Sequence, residues 1–264
     1  IYVTYSQKGI FSMTLLPPVE RRPLYQQVKT ALTQKLINGE WRPGDKLPAE
    51  SDLARTVGVS LGTLRRATQE LVDEGIFERR AGVGTLVSTF QTRGYWNRFQ
   101  PLVRTDGTPR FDERRHIVFE TVPAPEPVGI ALNLRPGTPV FRMVRHIMKG
   151  TGNDTELTII DENYLIPSFF PQLTEAKILL RFHADDSLYK FYDREFGIVV
   201  IRQKCEAGIE AIDSATAQTL ALSRAPAAPW LTLRRTSYTY GMTPVEYRIT
   251  RAAPGEHRLV FDLN

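Results

Sequence analysis

Apolar residues recur four apart in "PLYQQVKTALTQKLINGEW", at Leu24, Val28, Leu32 and Leu36. They lay one stripe along a helix of about 15 residues, which Asn38-Gly39 stops. The next stretch, "RPGDKLPAESDLARTVGVS", turns at Pro43-Gly44-Asp45, and Ala49 to Val57 has room for a short helix before Gly58 ends it. A third helix opens at Ser60, whose hydroxyl can cap the amide of Thr63, and runs to Gly75. Its apolar face is Leu64, Ala67, Thr68 and Leu71, so Gly62, Arg65, Arg66 and Gln69 point the opposite way. The strand-like runs "IFERR" and "TLVST" follow, with Ala81-Gly82-Val83-Gly84 between them. Helix, helix, tight turn, helix and hairpin, in that order, predict a winged helix-turn-helix over residues 21–90.

Periodicity then breaks. "QTRGYWNRFQPLVRTDGTPR" mixes Gly, Pro, Arg and Asp and reads as a linker over 91–110, although its tryptophan and phenylalanine argue against a fully solvated tether. Beyond it strand-like runs dominate: "RHIVFETV", "PVFRMVRHIMK", "ELTIIDENYLI", "IVVIRQKCEAGIE", "WLTLRRTSYTY" and "PVEYRITRAA". Gly150 to Asn153 supplies a hairpin turn between the second and third. Helical patches are expected at Pro127–Leu132, Ser187–Phe196 and Ser214–Leu222. The fold class is therefore α+β, with a second domain over 111–264 built on a mostly antiparallel sheet with flanking helices.

Composition narrows the function classes. The 264 residues carry a net charge of +5, but residues 1–90 hold twelve Lys/Arg against nine Asp/Glu, so placement of charge matters more than its sum. A single cysteine, Cys205, excludes an internal disulfide and a thiolate metal site, which fits the cytoplasm. No run of 18 apolar residues is present, and the opening "IYVTYSQKGIFSMTLLPPVE" lacks the layout of a secretory signal. Residues 1–20 are expected to be an unstructured arm, and a start at Met13 would leave residues 1–12 outside the natural chain. His116, His146, His183 and His257 show no metal spacing; Cys205, Met143 and Met148 read as strand apolars. No cofactor is expected.

"ERRAGVGTLV" has three readings. A phosphate loop needs Gly-Lys-Ser/Thr and a helix start after it, and here Gly84-Thr85-Leu86-Val87 continues as a strand. A plain hairpin needs glycine at its tip anyway. The third reading is a wing: a tip without bulk can approach a phosphate backbone or minor groove, with Arg79 and Arg80 at its base as counter-charge. The preceding helix can place Arg65, Arg66 and Gln69 in a major groove, where these side chains read base edges.

The run from "LYQQVKTALTQKLINGEWRPGDKLPAESDLARTVGVS" to "GVGTLVS" resembles the DNA-binding domain of the GntR family of bacterial transcription regulators, through "G-E-x-x-P-G-x-x-L-P-x-E", "V-S-x-x-T-x-R" and "G-x-G-T". That resemblance implies double-stranded operator DNA as partner, with Ser51, Ser60, Leu61, Gly62, Thr63, Arg65, Arg66, Gln69, Arg80, Gly82 and Gly84 at the interface, Thr63 on phosphate and Arg65 on guanine. Relatives often carry arginine where Ser51 and Leu61 stand and a basic residue where Val83 stands, so their operators do not transfer. Leu61 can meet a thymine methyl instead.

Residues beyond 100 resemble the UTRA effector domain of the HutC subfamily, with a chorismate lyase-like fold. "PGTPVFRMVRHIM", "ELTIIDENYLIP", "IVVIRQKCEAGIEAI" and "GMTPVEYRIT" carry the likeness. It implies a homodimer and a small-molecule effector held by Arg145, Asp161 and Glu246. Relatives that bind sugar phosphates have a basic residue at the position of Ile147 and often arginine at Glu162, which leaves an amino-acid-like or imidazole catabolite favoured, with Glu162 as a further acid near Arg145. The function expected is a repressor released by that metabolite. An enzyme on the lyase-like fold and a ligand-independent DNA-binding protein are the alternatives; no catalytic spacing supports the enzyme.

Overall fold

The computed structural model describes residues 22–89, 102–106, 113–151, 154–182 and 187–260. The first unit contains α1 (Leu24–Ile37), α2 (Glu50–Val57), α3 (Leu61–Asp73), β1 (Phe77–Arg80) and β2 (Gly84–Val87). Val28, Leu32 and Leu36 of α1 meet Leu64, Ala67 and Leu71 of α3 in one apolar cluster. Leu24, placed on the same stripe by its spacing, is exposed because the helix begins there, beyond the reach of α3. Gly58 ends α2 in the left-handed conformation, at φ 74°. The segment before α2 adds to the hairpin: the Leu47 amide donates to Thr85 O at 2.9 Å and the Val87 amide to Asp45 O at 2.8 Å, which fixes the wing beside α2.

The second unit continues with β3 (Leu102–Arg104), β4 (Glu113–Pro123), α4 (Glu126–Leu132), β5 (Pro139–Thr151), β6 (Asp154–Leu165), α5 (Glu175–Arg181), α6 (Leu188–Phe196), β7 (Arg202–Glu210), α7 (Ser214–Thr219), β8 (Trp230–Thr239), β9 (Thr243–Ala252) and β10 (His257–Leu259). Six strands form one sheet in the order β4-β5-β6-β9-β8-β7, with every neighbouring pair antiparallel. Side chains alternate between its faces. One face carries Val144, Ile160, Tyr164 and Tyr247, covered by α4 and by the region around α7. The other has two apolar ends: Met143, Leu165 and Val245 pack with α5, α6 and Phe170, while Ile147, Ile159, Leu233 and Ala252 pack against Leu102 of β3.

Several details depart from the sequence reading. Residues 102–106, read as linker, belong to the sheet domain: β3 pairs with β10 through Leu102↔Leu259, Val103↔Arg258 and Arg104↔His257. A three-residue strand whose partner lies at the far end of the chain leaves no local pattern. Helix α5 was not foreseen, since Leu179 and Leu180 are exposed and only Ile178 is buried, so it shows no apolar stripe. The run Ile198–Val200 is buried but precedes the strand, which begins at Arg202. Cys205 is exposed, because β7 is an outer strand of the sheet. The expected arm at 1–20, most of the linker, Gly152-Asn153 and His183 lie outside the described residues.

The two units touch. Val199 and Tyr240 join the apolar cluster of the helical unit, and Ile201 packs against it. At the short turn Tyr240–Met242 between β8 and β9, Gly241 takes φ +68°, and a Cβ there would lie 2.9 Å from Ile37 Cδ1 at the end of α1. The turn is thus held close to the helix by the absence of a side chain.

Candidate functional site

Helix α3 starts where the Thr63 amide donates to Ser60 Oγ at 3.1 Å, the cap expected from the sequence. Ser51, Ser60, Leu61, Gly62, Arg65, Arg66, Gln69, Arg80, Gly82 and Gly84 are all exposed, and Thr63 is half-buried. Gly82 and Gly84 adopt φ 74° and 117°, conformations that the tight tip requires. The helix and the wing therefore share one accessible side, with a groove of about 620 Å³ lined by Glu50, Arg65, Arg66, Gln69 and Arg79. A second groove of about 620 Å³ lies between the wing and the start of α2, lined among others by Lys46, Pro48, Arg80 and Val83.

The arginines on this side are not equivalent. Arg65 Nε donates to Glu50 Oε2 at 2.8 Å, while Arg79 Nη2 reaches Glu50 Oε1 at 3.4 Å and its Nη1 donates to Gln69 Oε1 at 2.7 Å. Gln69 Nε2 in turn donates to Asp73 Oδ1 at 2.8 Å. Arg66 stacks on the Tyr25 ring of α1, 3.9 Å from its centroid, and so sits at the rim of the face. Arg80 pairs with Glu78 at 2.7 Å. Sequence reasoning placed Arg66, Arg79 and Arg80 on the site, the last two as counter-charge beside the wing tip, and missed Glu50 and the contact of Arg79 with Gln69. Strand alternation turns Arg79 towards α3, a signal that the sequence does contain.

In the sheet domain, register brings distant residues together. Arg145 stands opposite Asp161, Asp161 opposite Thr250, and Asn163 opposite Arg248, which stands opposite Arg235. All occupy the face between the two apolar ends, and all are buried. Arg145 Nη2 donates to Asp161 Oδ2 at 2.6 Å; Thr250 Oγ1 donates to Asp161 Oδ1 at 2.5 Å and accepts from Arg235 Nη2 at 2.5 Å. Aromatic rings cover them: the Arg145 guanidinium lies 5.4 Å from the Phe182 centroid and that of Arg248 lies 4.8 Å from Tyr189.

Glu246 behaves differently from the other two candidates. It is fully buried, and its oxygens accept from Tyr192 Oη (2.9 Å), Arg248 Nε (3.0 Å) and Nη2 (2.5 Å), and Ser237 Oγ (2.9 Å). Burial works against the Arg248 charge, yet Glu246 beside it leaves the guanidinium well above its ordinary range. Burial and the neighbouring Glu246 carboxylate both push the Tyr192 hydroxyl far up, so it remains a donor. Glu162, expected near Arg145, lies on the opposite face, where Arg142 Nε (2.9 Å), Arg251 Nη1 (3.0 Å) and Tyr164 Oη (2.9 Å) donate to it. One step along a strand reverses the face. Burial raises the Glu162 carboxyl, but its arginine partners outweigh that and hold it below the usual value. His146 is also on that side, with Nε2 at 2.9 Å from Leu220 O. Arg235, Arg248, Thr250, Asn163 and Tyr192 were missed, although Glu246, Arg248 and Thr250 alternate in "VEYRIT".

Comparison with known proteins adds an independent line. The family described as "Bacterial regulatory proteins, gntR family" matches residues 24–87, and the UTRA domain family matches residues 113–258. An Escherichia coli (strain K12) protein named "Probable transcriptional regulator PhnF" is 30% identical over 232 residues, covering 86% of this chain and 89% of that one. The histidine utilization repressor of Klebsiella aerogenes is 46% identical over 66 residues, which are 25% of this chain and 27% of that protein. The crystal structure of the ligand-binding domain of a GntR-family regulator from Bordetella bronchiseptica aligns with a TM-score of 0.52 at 26% identity, covering 63% of this chain and 98% of that one.

Proposed function

Because this chain belongs to the GntR family of bacterial regulators and carries a UTRA domain, we propose that it is a repressor that binds an operator through α3 and the wing and is released by a small anionic metabolite. The observation that carries the DNA half is the shared exposed side of Arg65, Gln69, Arg79 and the glycine-tipped wing. On duplex DNA, α3 lies in the major groove with Arg65 on a guanine edge and Thr63 on a phosphate, while Gly82 to Gly84 approach the backbone or minor groove with Arg80 alongside. Two such heads on a homodimer match a two-fold operator in the cytoplasm.

The ligand half rests on charge and cover. Arg145, Arg235 and Arg248 lie with Asp161 and Glu246 on this buried face, so an anionic group and a cationic one can each meet a complementary side chain there. A carboxylate suits the planar arginine fork, Asp161 suits an amine or imidazole, and Phe182 and Tyr189 supply flat apolar walls. This supports an amino-acid-like or imidazole acid as effector. Glu246, with both oxygens already used, acts on the ligand through Arg248 and Tyr192. No reaction is assigned to the domain.

Coupling follows from the seam. Ser237 and Glu246 lie on the two strands joined by the Tyr240–Met242 turn, and Tyr192, which donates to Glu246, precedes Val199 by one loop. A ligand that rearranges Ser237, Glu246 or Tyr192 displaces the two segments that join the apolar cluster of the helical unit. Release requires the ligand to favour one arrangement by differential affinity. A thermal-shift screen of small acids tests the reading: a true effector at a hundred times its Kd adds about 2.7 kcal/mol of stability and lowers affinity for the promoter fragment. If no acid does both, the effector half fails, and promoter binding remains as a separate test of the DNA half.

A further inference from the structure

We infer that Glu50 is the positioning residue that sets sequence discrimination on the reading face, by holding Arg65 and Arg79 in fixed directions. The inference rests on the DNA-binding reading above. Glu50 opens α2, where a carboxylate suits the positive end of the helix, but its side chain is turned into the groove beneath α3 and the wing. A negative charge there opposes phosphate binding, so its presence needs a reason beyond the helix end.

Geometry supplies one. Among the described residues, Glu50 is the acid that reaches both α3 and the wing strand: Oε2 takes Arg65 Nε at 2.8 Å and Oε1 takes Arg79 Nη2 at 3.4 Å. With Nε of Arg65 engaged, its two Nη nitrogens are left as an end-on fork, the form that bonds guanine O6 and N7 together. The Arg79 fork then spans from Glu50 to Gln69 Oε1 at 2.7 Å, and Gln69 is anchored by Asp73 at 2.8 Å. Two arginines and a glutamine from one helix and a strand are tied to an acid of a second helix as one set. Unbound arginines grip any phosphate; arginines held by a carboxylate give up part of that general attraction and keep a direction.

The test compares Glu50→Gln with the unaltered full chain on two duplexes, the chain's own promoter fragment and an unrelated sequence of equal length, by anisotropy across a salt series. Glutamine keeps the size and one acceptor but removes the charge. The expected result is a gain of about threefold on the unrelated duplex, since an exposed charge of this kind shifts affinity by a small factor. On the promoter a loss of about three- to tenfold is expected as Arg65 becomes free to reorient. In Arg65→Ala, adding Glu50→Gln should reduce promoter preference by less than it does in the unaltered chain, since only the Arg79 contact is left to lose, a non-additivity that a merely structural role does not produce. Arg79→Lys, which keeps the charge but cannot span two acceptors, should lower promoter preference with no change in salt slope, and this exposed variant carries the test if Glu50→Gln does not fold. Equal change on both duplexes, or additivity with Arg65→Ala, overturns the inference. If the unaltered chain itself shows no promoter preference, the regulator reading falls, and this inference with it.

Discussion

Arginine meets glutamate in both halves of the chain, in opposite surroundings. Arg65 is 61% exposed where it meets Glu50, whereas Arg248 is 5% exposed and Glu246 has no exposure at all. The exposed pair contributes little to stability, so its value lies in the direction it gives Arg65. The buried pair cannot be opened without stranding a charge, so it holds the interior of the sheet in one arrangement. The same two residue types thus serve as an exposed pair on the surface of one unit and as an internal strut in the other.

The comparison breaks most visibly if each pair is cut. Glu246→Ala is expected to cost about 3–5 kcal/mol in denaturant unfolding, because Arg248 stays buried without its acid, while Glu50→Ala costs under about 1 kcal/mol. Equal costs would mean that the two environments do not differ as described. Next in size, Arg65→Ala should leave the unfolding transition in place and remove about 1–3 kcal/mol of promoter affinity in a mobility shift at fixed salt. At the seam, Gly241→Ala forces a side chain into φ +68° against Ile37, and a loss of about 1–2 kcal/mol is expected together with altered promoter affinity. Unchanged DNA binding in that variant would separate the seam from regulation.

The smallest effect is with pH. The folded Glu162 carboxyl lies below its ordinary 4.5, so its contribution is complete above pH 4.5 and is lost as pH falls through the folded value. Acid titration of stability should therefore slope downward below pH 4.5, and Glu162→Gln should flatten that slope whatever its overall stability. An unaltered slope would remove Glu162 from the set of charges that hold the sheet.

Local pattern made the helical unit readable. The α1 stripe, the Ser60 cap and the glycines of the wing each act within a few residues, so the sequence displays them directly. In the sheet domain the strands were visible from alternation, but their order was not, since pairing of β6 with β9 joins segments about ninety residues apart. That is why Arg145 and Asp161 were found and Arg235 and Thr250 were not. Parity would have separated Glu162 from Asp161, as adjacent strand residues face opposite ways. Glu50 was invisible for another reason: its role appears only when a helix start, a second helix and a wing strand converge.

The most direct test of the account is an anisotropy titration of the full chain with its own promoter fragment and with an unrelated duplex over a range of salt. Preference for the promoter by about a thousandfold or more, with both affinities falling as salt rises, is the predicted result. Indistinguishable binding to the two duplexes at every salt concentration would contradict it.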